Sequence, residues 1–343
     1  MLNILLFSIF RDQDERETIL FGVFAFIITL FLILDLGLFH KQAQRITTRS
    51  ALYQSIFWVT ISTLYGVLIY LYGPYQHEVN GVQENLNGTD AAVLYFSAYL
   101  TEYALSVDNI FVILLILKYF QVNDAYHHRI LFWGIIGAVI FRALFIFLGA
   151  FLIGKFHAIL YIFGVFLIYS GIRIYFEDGD EKIEPEKNPV MRLCKRYLPM
   201  SATDHGGKFI VREAGLIKFT PLFLVIALIE TTDLIFAVDS IPAAFAITTN
   251  EFLVYTSNIF AVMGLRAMFF LLAGIIDKFY LLQKGLSIIL FFIGAKMLLD
   301  IWHIELSPYL SFSVIIATLT LSIIFSVIVP RRAEAEAEEN SKV

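Results

Sequence analysis

Long apolar blocks, each long enough to cross a lipid bilayer, recur along almost the whole chain. The hydrocarbon core of a bilayer is about 30 Å thick, so a spanning helix needs roughly 20 mostly apolar residues. These blocks predict an all-α, polytopic membrane protein of about nine transmembrane helices, with no room for a large soluble domain. The blocks cover residues 17–39, 52–73, 91–117, 130–153, 157–176, 216–247, 251–275, 280–300 and 308–330.

The overall composition agrees with this class. The 343-residue chain is 59% hydrophobic and 16% charged, with a mean hydropathy of +0.76, which lies outside the usual range of soluble domains. The formal charge of −5 says little about partners, because most side chains would face lipid or protein. A single cysteine, Cys194, excludes an intramolecular disulfide and a zinc-type cysteine motif.

Lys and Arg are distributed unevenly between the blocks, and cytoplasmic loops of membrane proteins carry an excess of them. They concentrate in the connections after the first, third, fifth and seventh blocks and in the tail. Residues 74–90, 248–250 and 301–307 contain none. We therefore expect the N-terminus outside and the C-terminus in the cytoplasm. The longest hydrophilic connection, 177–215, is interpreted as a mobile linker, with a regulatory or docking segment as the alternative.

Two parts of the chain resemble each other. LSVDNI at 105–110 resembles FAVDSI at 236–241. Two later matches follow in the same order, which makes coincidence a poor explanation. The aligned pairs are Glu102 with Asp233, Asp108 with Asp239, Asn109 with Ser240, Arg142 with Arg266, Lys155 with Lys278, Gly171 with Gly294 and Arg173 with Lys296.

Each repeat unit contains three blocks, and an odd number means that the second unit enters the membrane from the opposite side. The sequence therefore predicts an inverted repeat of three plus three helices, a feature of secondary transporters that alternate access around a midplane site. The units are 91–176 and 216–300, joined by 177–215 and flanked by 1–90 and 301–343.

Five carboxylates lie near the centres of the third and sixth blocks. An ionised carboxylate at the bilayer centre costs about 2.5–3.5 kcal/mol, so these side chains should face the bundle interior. Carboxylates with hydroxyl and amide groups, and no intramembrane His or Cys nearby, suit Mg²⁺, Ca²⁺ or Mn²⁺. The acids are Glu102, Asp108, Glu230, Asp233 and Asp239, and the neighbouring polar groups are Asn109 and Ser240.

A structural role is the alternative, since Arg142, Arg266 and Lys296 are available to pair with these acids. Five acids against three bases leave two negative charges if all are ionised, which a divalent cation or bound protons would neutralise. This arithmetic favours a cation or proton pathway. Asp35, near the cytoplasmic end of the first block, snorkels or caps its helix, or serves as a gate.

Helix geometry limits how the acids can meet. Glu102 and Asp108 are six residues apart, as are Asp233 and Asp239, which places each pair about 120° apart on a straight helix. They would converge on one ion only where the helix is unwound. Pro242 cannot donate to the helix ladder. The sixth block is also too long for one straight helix, so we expect it to be bent or broken.

These motifs make the chain resemble the TerC family of integral membrane proteins, closest to its Alx branch. The resemblance implies a multi-pass protein of the inner (plasma) membrane that exports Mn²⁺, and it extends from about residue 18 to 330. It rests on EYALSVDNIFV (102–112), RILFWGIIGAVIFR (129–142), ILYIFGVFLIYSG (159–171), ETTDLIFAVDSIPAAFAIT (230–248) and TSNIFAVMGLRAMFFLLAG (256–274).

On this interpretation the chain is a transporter of a divalent cation, with Mn²⁺ favoured by the resemblance, with no permanent cofactor and with proton coupling left open. The ligands would be Glu102, Asp108, Asp233 and Asp239, helped by Asn109 and Ser240, with Glu230 supporting or proton-linked and Arg142 and Arg266 tuning the pocket.

Two other classes are less well supported by the sequence. A membrane-bound redox or stress-response modulator, of the kind that older tellurite-resistance names suggest, would need a redox centre, and the chain offers only Cys194. An intramembrane aspartyl protease would carry a GxGD-type signature, which is absent. We therefore expect no enzymatic activity.

Overall fold

The computed structural model describes residues 15–39, 48–73, 75–79, 82–156, 158–176, 189–201, 205–213, 215–273, 280–302, 304 and 306–328. Within these residues, nine helices are long and apolar enough to cross a membrane, which confirms an all-α polytopic membrane protein. In chain order the helices are α1 (Glu15–Phe39), α2 (Thr48–Tyr72), α3 (Gly88–Tyr119), α4 (Asp124–Lys155), α5 (Ala158–Phe176), the short α6 (Pro189–Tyr197), α7 (Pro221–Ile247), α8 (Glu251–Leu272), α9 (Tyr280–Leu299) and α10 (Pro308–Ile328).

Asparagine side chains begin three of the spanning helices. Asn87, Asn123 and Asn250 stand just before α3, α4 and α8, and each side-chain oxygen accepts a backbone N–H of the first turn at 2.8–3.0 Å. Such caps satisfy donors that have no partner within the helix. The starts of these three helices are therefore encoded locally. Each start sets how far the polar residues of that helix lie from its end.

Two antiparallel hairpins connect helices: β1 (Tyr75–Val79) with β2 (Val82–Leu86), and β3 (Ile210–Glu213) with β4 (Leu216–Phe219). The second hairpin explains why the sixth apolar block is so long, because its first residues form β4. The helix itself begins only at Pro221 and has 27 residues.

Of the two expectations for this sixth span, bent or broken, the break is wrong. Helix α7 continues through Pro242 to Ile247. Proline at 242 leaves the carbonyl of Val238 without its usual donor, while the N–H of Thr248 still bonds the carbonyl of Ala244 at 3.1 Å. The loss of one hydrogen bond is therefore absorbed within a continuous helix.

Helix α8 lies at the centre of the bundle, and most of its residues are buried there. Helices α2, α3 and α4 pack against it, while α7 packs against α3, α4 and α5. This arrangement places the polar residues of α3, α4 and α7 between buried helices, and away from the lipid-facing surface.

Helices α5 and α9 approach each other through glycine. A Cβ at Gly164 would stand 3.1 Å from the carbonyl oxygen of Gly294, and a Cβ at Gly171 would stand 2.8 Å from that of Ser287. Because the contact positions rise along α5 while they fall along α9, the two helices run antiparallel.

The connection 177–215 is folded over most of its described part, residues 189–201 and 205–213, and is not a featureless linker there. Met191 of α6 is buried. Arg129 of α4 donates a 2.9 Å hydrogen bond to the carbonyl of Gly207, and its guanidinium lies over the ring of Phe209. The β3–β4 hairpin region is thereby held against the start of α4. The boundaries of the repeat units stay a prediction.

Candidate cation site

Arg142 of α4 is a fully buried guanidinium with 0% exposure. Its Nη1 forms an ion pair with Oε1 of Glu102 on α3, and its Nη2 lies 3.7 Å from Oδ1 of Asp233 on α7. Nη1 also donates to Oγ of Ser240, likewise on α7, at 3.5 Å. Three helices thus bring four predicted residues together at one point in the bundle.

The hydrogen bonding of this cluster is incomplete. Oε2 of Glu102 and Oδ2 of Asp233 are buried and have no hydrogen-bond partner, and the same holds for Nε and Nη2 of Arg142. With all three groups ionised, the cluster carries a net charge of −1. A buried ion pair offsets its loss of hydration only when its remaining donors and lone pairs are also satisfied. One oxygen of each carboxylate, Oε2 of Glu102 and Oδ2 of Asp233, is therefore left without a donor inside the bundle.

A small cavity of about 30 Å³ lies beside the cluster. This is enough space for one water molecule or a single ion. Its polar lining comes from Asn109 of α3 and from Thr232 and Asp233 of α7, and the rest of its wall is apolar.

The cavity extends from the cluster towards the turn between α3 and α4. Asn109 follows Glu102 along α3, while the α4 residues that line the cavity, Leu131 to Ala138, precede Arg142. The β3–β4 hairpin region packs at this same end of α4. The cavity therefore lies on the side of the cluster that is nearer to this hairpin region.

Glu230 lies one turn before Asp233 on α7 and contacts α4 at a different place. Its carboxylate packs on the bare backbone of Gly137, where no Cβ would fit. Oε2 of Glu230 is buried and has no hydrogen-bond partner. This acid is therefore held at the α4–α7 interface and meets α4 at Gly137, five residues before Arg142.

Asp239 is bound on another side of α7. Oγ of Ser170 on α5 donates a 2.8 Å hydrogen bond to its Oδ1, and Arg173 of α5 interacts with it electrostatically. The next residue, Ser240, faces Arg142, because adjacent positions on a helix point about 100° apart. The structure thus separates Asp239 from the pair formed by Glu102 and Asp233.

The remaining predicted residues are less fully placed. Arg266 is half-buried on α8. The backbone of Asp35 lies in α1 and that of Asp108 in α3, but both side chains lie outside the described part of the chain. Among the described residues, no group of three or more His, Cys, Asp and Glu side chains is arranged to hold a metal ion. The four-carboxylate ligand set stays a prediction. In the structure, Arg142 lies between two of its members, Glu102 and Asp233.

Sequence reasoning missed two residues that shape the site. Gly137 has no side chain and so leaves space on α4 for the Glu230 carboxylate, and Ser170 donates a hydrogen bond to Asp239. Neither carries a specific signal, because small residues within apolar spans are common. Ser170 immediately precedes Gly171, which the repeat alignment did single out.

Residues 87–334 match the family described as "Integral membrane protein TerC family". A relative in Escherichia coli strain K12, "Putative membrane-bound redox modulator Alx", is 41% identical over 90% of this chain and 94% of its own length. A relative of the same name in Photorhabdus laumondii is 41% identical over 89% and 94%. "Uncharacterized membrane protein STKORF319" of Myxococcus xanthus is 39% identical over 94% and 96%. No solved structure matches the chain.

Proposed function

Because this chain belongs to the TerC family of integral membrane proteins, we propose that it is a secondary transporter that exports a divalent metal cation by alternating access. Mn²⁺ is the favoured cargo. The observation that carries the proposal is the pair of buried carboxylates, Glu102 and Asp233, which share one guanidinium and each keep an unpartnered oxygen. A hard, oxygen-binding cation matches these free groups.

A purely structural role explains this arrangement less well. A bundle locked by ion pairs would satisfy its buried donors and acceptors, since a partly satisfied buried network costs stability. Here four polar atoms of the cluster lack hydrogen bonds, and a cavity with an amide and a hydroxyl in its wall adjoins Asp233. Both features suit a site that is filled and emptied.

The antiparallel contact of α5 and α9 supports the inverted repeat, an arrangement found in many transporters that work by alternating access. The alignment that pairs Gly171 with Gly294 also pairs Gly164 with Ser287, seven residues earlier in each unit. Exchanging the two units therefore converts the Gly164–Gly294 contact into the Ser287–Gly171 contact. Such reciprocity is expected when two units are related by a two-fold axis in the membrane plane.

The names of several relatives favour a second candidate, a membrane-bound redox modulator. Thiol chemistry in this chain would have to use Cys194, its only cysteine, which is half-buried on α6. A Cys194→Ser variant separates the two functions. A transporter keeps its activity in this variant, whereas a thiol-based modulator loses its effect.

The test measures intracellular Mn, Mg, Ca, Zn and Fe in cells with and without the protein. We expect Mn to fall when the protein is present, and we expect Glu102→Gln and Asp233→Asn to abolish this efflux while the protein still inserts. Asp124→Asn is the matched control, because that acid lies at the exposed start of α4. Unchanged content of every metal, or full efflux in both variants, would contradict the proposal.

A further inference from the structure

Arg142 is positioned as a cation at the site where the cargo would bind. It is fully buried, and its two outer nitrogens face Glu102 and Asp233 from α4. A guanidinium has five N–H donors, yet Nε makes no hydrogen bond and Nη2 reaches Asp233 only at 3.7 Å. A guanidinium that served only to hold the helices together would be expected to use more of its donors in paired hydrogen bonds to the carboxylates.

The two carboxylates are equally incompletely used. Each gives one oxygen to Arg142 and keeps the other buried without a partner, Oε2 on Glu102 and Oδ2 on Asp233. The pair thus holds a single positive charge against two negative ones. A divalent cation between them would neutralise both, but only if the guanidinium moved away, because two like charges at such short range repel strongly in a buried site.

The surroundings give each cation its own approach. The cavity adjoins Asp233 beside Asn109 and Thr232, and its α4 wall ends at Ala138, whereas Arg142 lies one turn further along α4 and does not line the cavity. Ser240 lies 3.5 Å from Nη1 and offers an uncharged partner on the same helix as Asp233. The guanidinium therefore need not leave the bundle in order to release a carboxylate.

We propose that Arg142 is a tethered counter-cation that occupies Glu102 and Asp233 when the cargo is absent and that the cargo must displace. This inference rests on the proposed transport function. Arg142 lowers the affinity for the cargo by competing with it, and its return helps to expel the cargo. The empty site is then never left as two unpaired buried carboxylates, whose isolated burial would be expensive.

The test uses the full-length protein, purified and reconstituted in liposomes, with Mn²⁺ as the only probe. Equilibrium binding and transport rate are measured for the wild type, Arg142→Lys and Arg142→Gln. A lysine keeps the charge but lacks the planar fork that holds two carboxylates. We expect Mn²⁺ to bind about tenfold or more tightly to Arg142→Gln, because the competing charge is gone. Arg142→Lys should lie between the two, and transport should slow in the same order.

Arg129→Gln is the control, since Arg129 lies on the same helix but contacts the hairpin region, so its Mn²⁺ affinity should match the wild type. A structural role for Arg142 predicts the reverse order, with equal or weaker binding once the carboxylates lose their orientation. Equal or weaker binding of Mn²⁺ in either folded Arg142 variant would overturn the inference while leaving transport standing. A wild type that neither binds nor moves Mn²⁺ would overturn the proposed function itself.

Discussion

The carboxylate of Glu230 rests on the bare backbone of Gly137, so the α4–α7 contact leaves no room for a Cβ at position 137. A Gly137→Ala substitution would displace the far end of the Glu230 side chain and leave the helix backbone in place. We expect the variant to insert and fold but to export metal at a strongly reduced rate. Metal content of cells that express it measures this effect.

Gly154→Ala is the matched control for this prediction. Gly154 lies near the end of the same helix, away from the cavity, and a Cβ there would have no atom within 4 Å. Alanine also favours a helix over glycine by about 1 kcal/mol, so neither change should weaken α4 itself. Equal export by the two variants would show that the position of Glu230 is irrelevant to transport.

Ser170 tests the role of Asp239, because its hydroxyl is the donor to Oδ1 of that acid. Hydrogen bonds to charged groups contribute about 1.5–3 kcal/mol, so loss of the donor should shift the apparent cargo affinity by roughly tenfold or more. We expect Ser170→Ala to change the concentration dependence of Mn²⁺ transport, while Ser170→Thr keeps the donor.

Ser313→Ala on α10 serves as the control for Ser170→Ala, since the hydroxyl of Ser313 bonds only the carbonyl of Tyr309 in its own helix. It should transport like the wild type. A concentration dependence that is the same in Ser170→Ala and Ser313→Ala would separate Asp239 from cargo binding.

Much of the fold could be predicted because spanning helices depend on length and apolarity, which are local properties of the sequence. The predicted start of the sixth span was wrong because a short apolar strand directly precedes the helix. Leu216–Phe219 is apolar enough to extend the sixth block, yet it pairs with Ile210–Glu213 as a hairpin. Pro242, a candidate for a local break, does not interrupt the helix, because a helix in a bundle tolerates one missing donor.

The site was predictable as a set of residues but not as an arrangement. Charge in an apolar span identified Glu102, Arg142 and Asp233, whose cost in lipid requires an interior position. That Arg142 lies between the two acids depends on helix packing, which no local pattern encodes. The separation of Asp239 from Ser240 follows from helix rotation, once Pro242 is known not to unwind α7.

The glycine contact between α5 and α9 predicts a stability effect. A Cβ at Gly294 would stand 2.6 Å from the carbonyl oxygen of Gly164 and 2.9 Å from the N of Ile168, both of them backbone atoms that cannot turn aside. Overpacking of this kind costs about 1–3 kcal/mol. We expect Gly294→Ala to lower the thermal unfolding midpoint of the purified protein. Gly154→Ala, with nothing within 4 Å, should leave it unchanged or raise it, and equal midpoints would contradict the close approach.

The β3–β4 hairpin carries an ion cluster outside the membrane that makes a pH prediction. Lys218 donates a 2.7 Å hydrogen bond to Oε2 of Glu213, and Ser201 donates one of 2.7 Å to Oε1, which His205 also contacts. The bond from Lys218, followed by that from Ser201, lowers the pKa of Glu213 from 4.5 to about 2. A lowered pKa means that the ionised acid stabilises the folded hairpin above pH 4.5 and loses this effect as the pH falls towards 2.

We therefore expect the contribution of Glu213 to the hydrogen-exchange protection of the backbone amides of residues 210–219 to stay constant from pH 7 to about 4.5. Below that range the amides should lose this protection. Glu213→Gln should exchange faster at pH 7 and show no further loss between pH 4.5 and 2, because it has no carboxylate to protonate. Arg212→Gln, on the same strand but outside these bonds, should follow the wild-type profile. If Glu213→Gln retained the acid-dependent loss, another group would have to control the hairpin, since the only change removes this carboxylate.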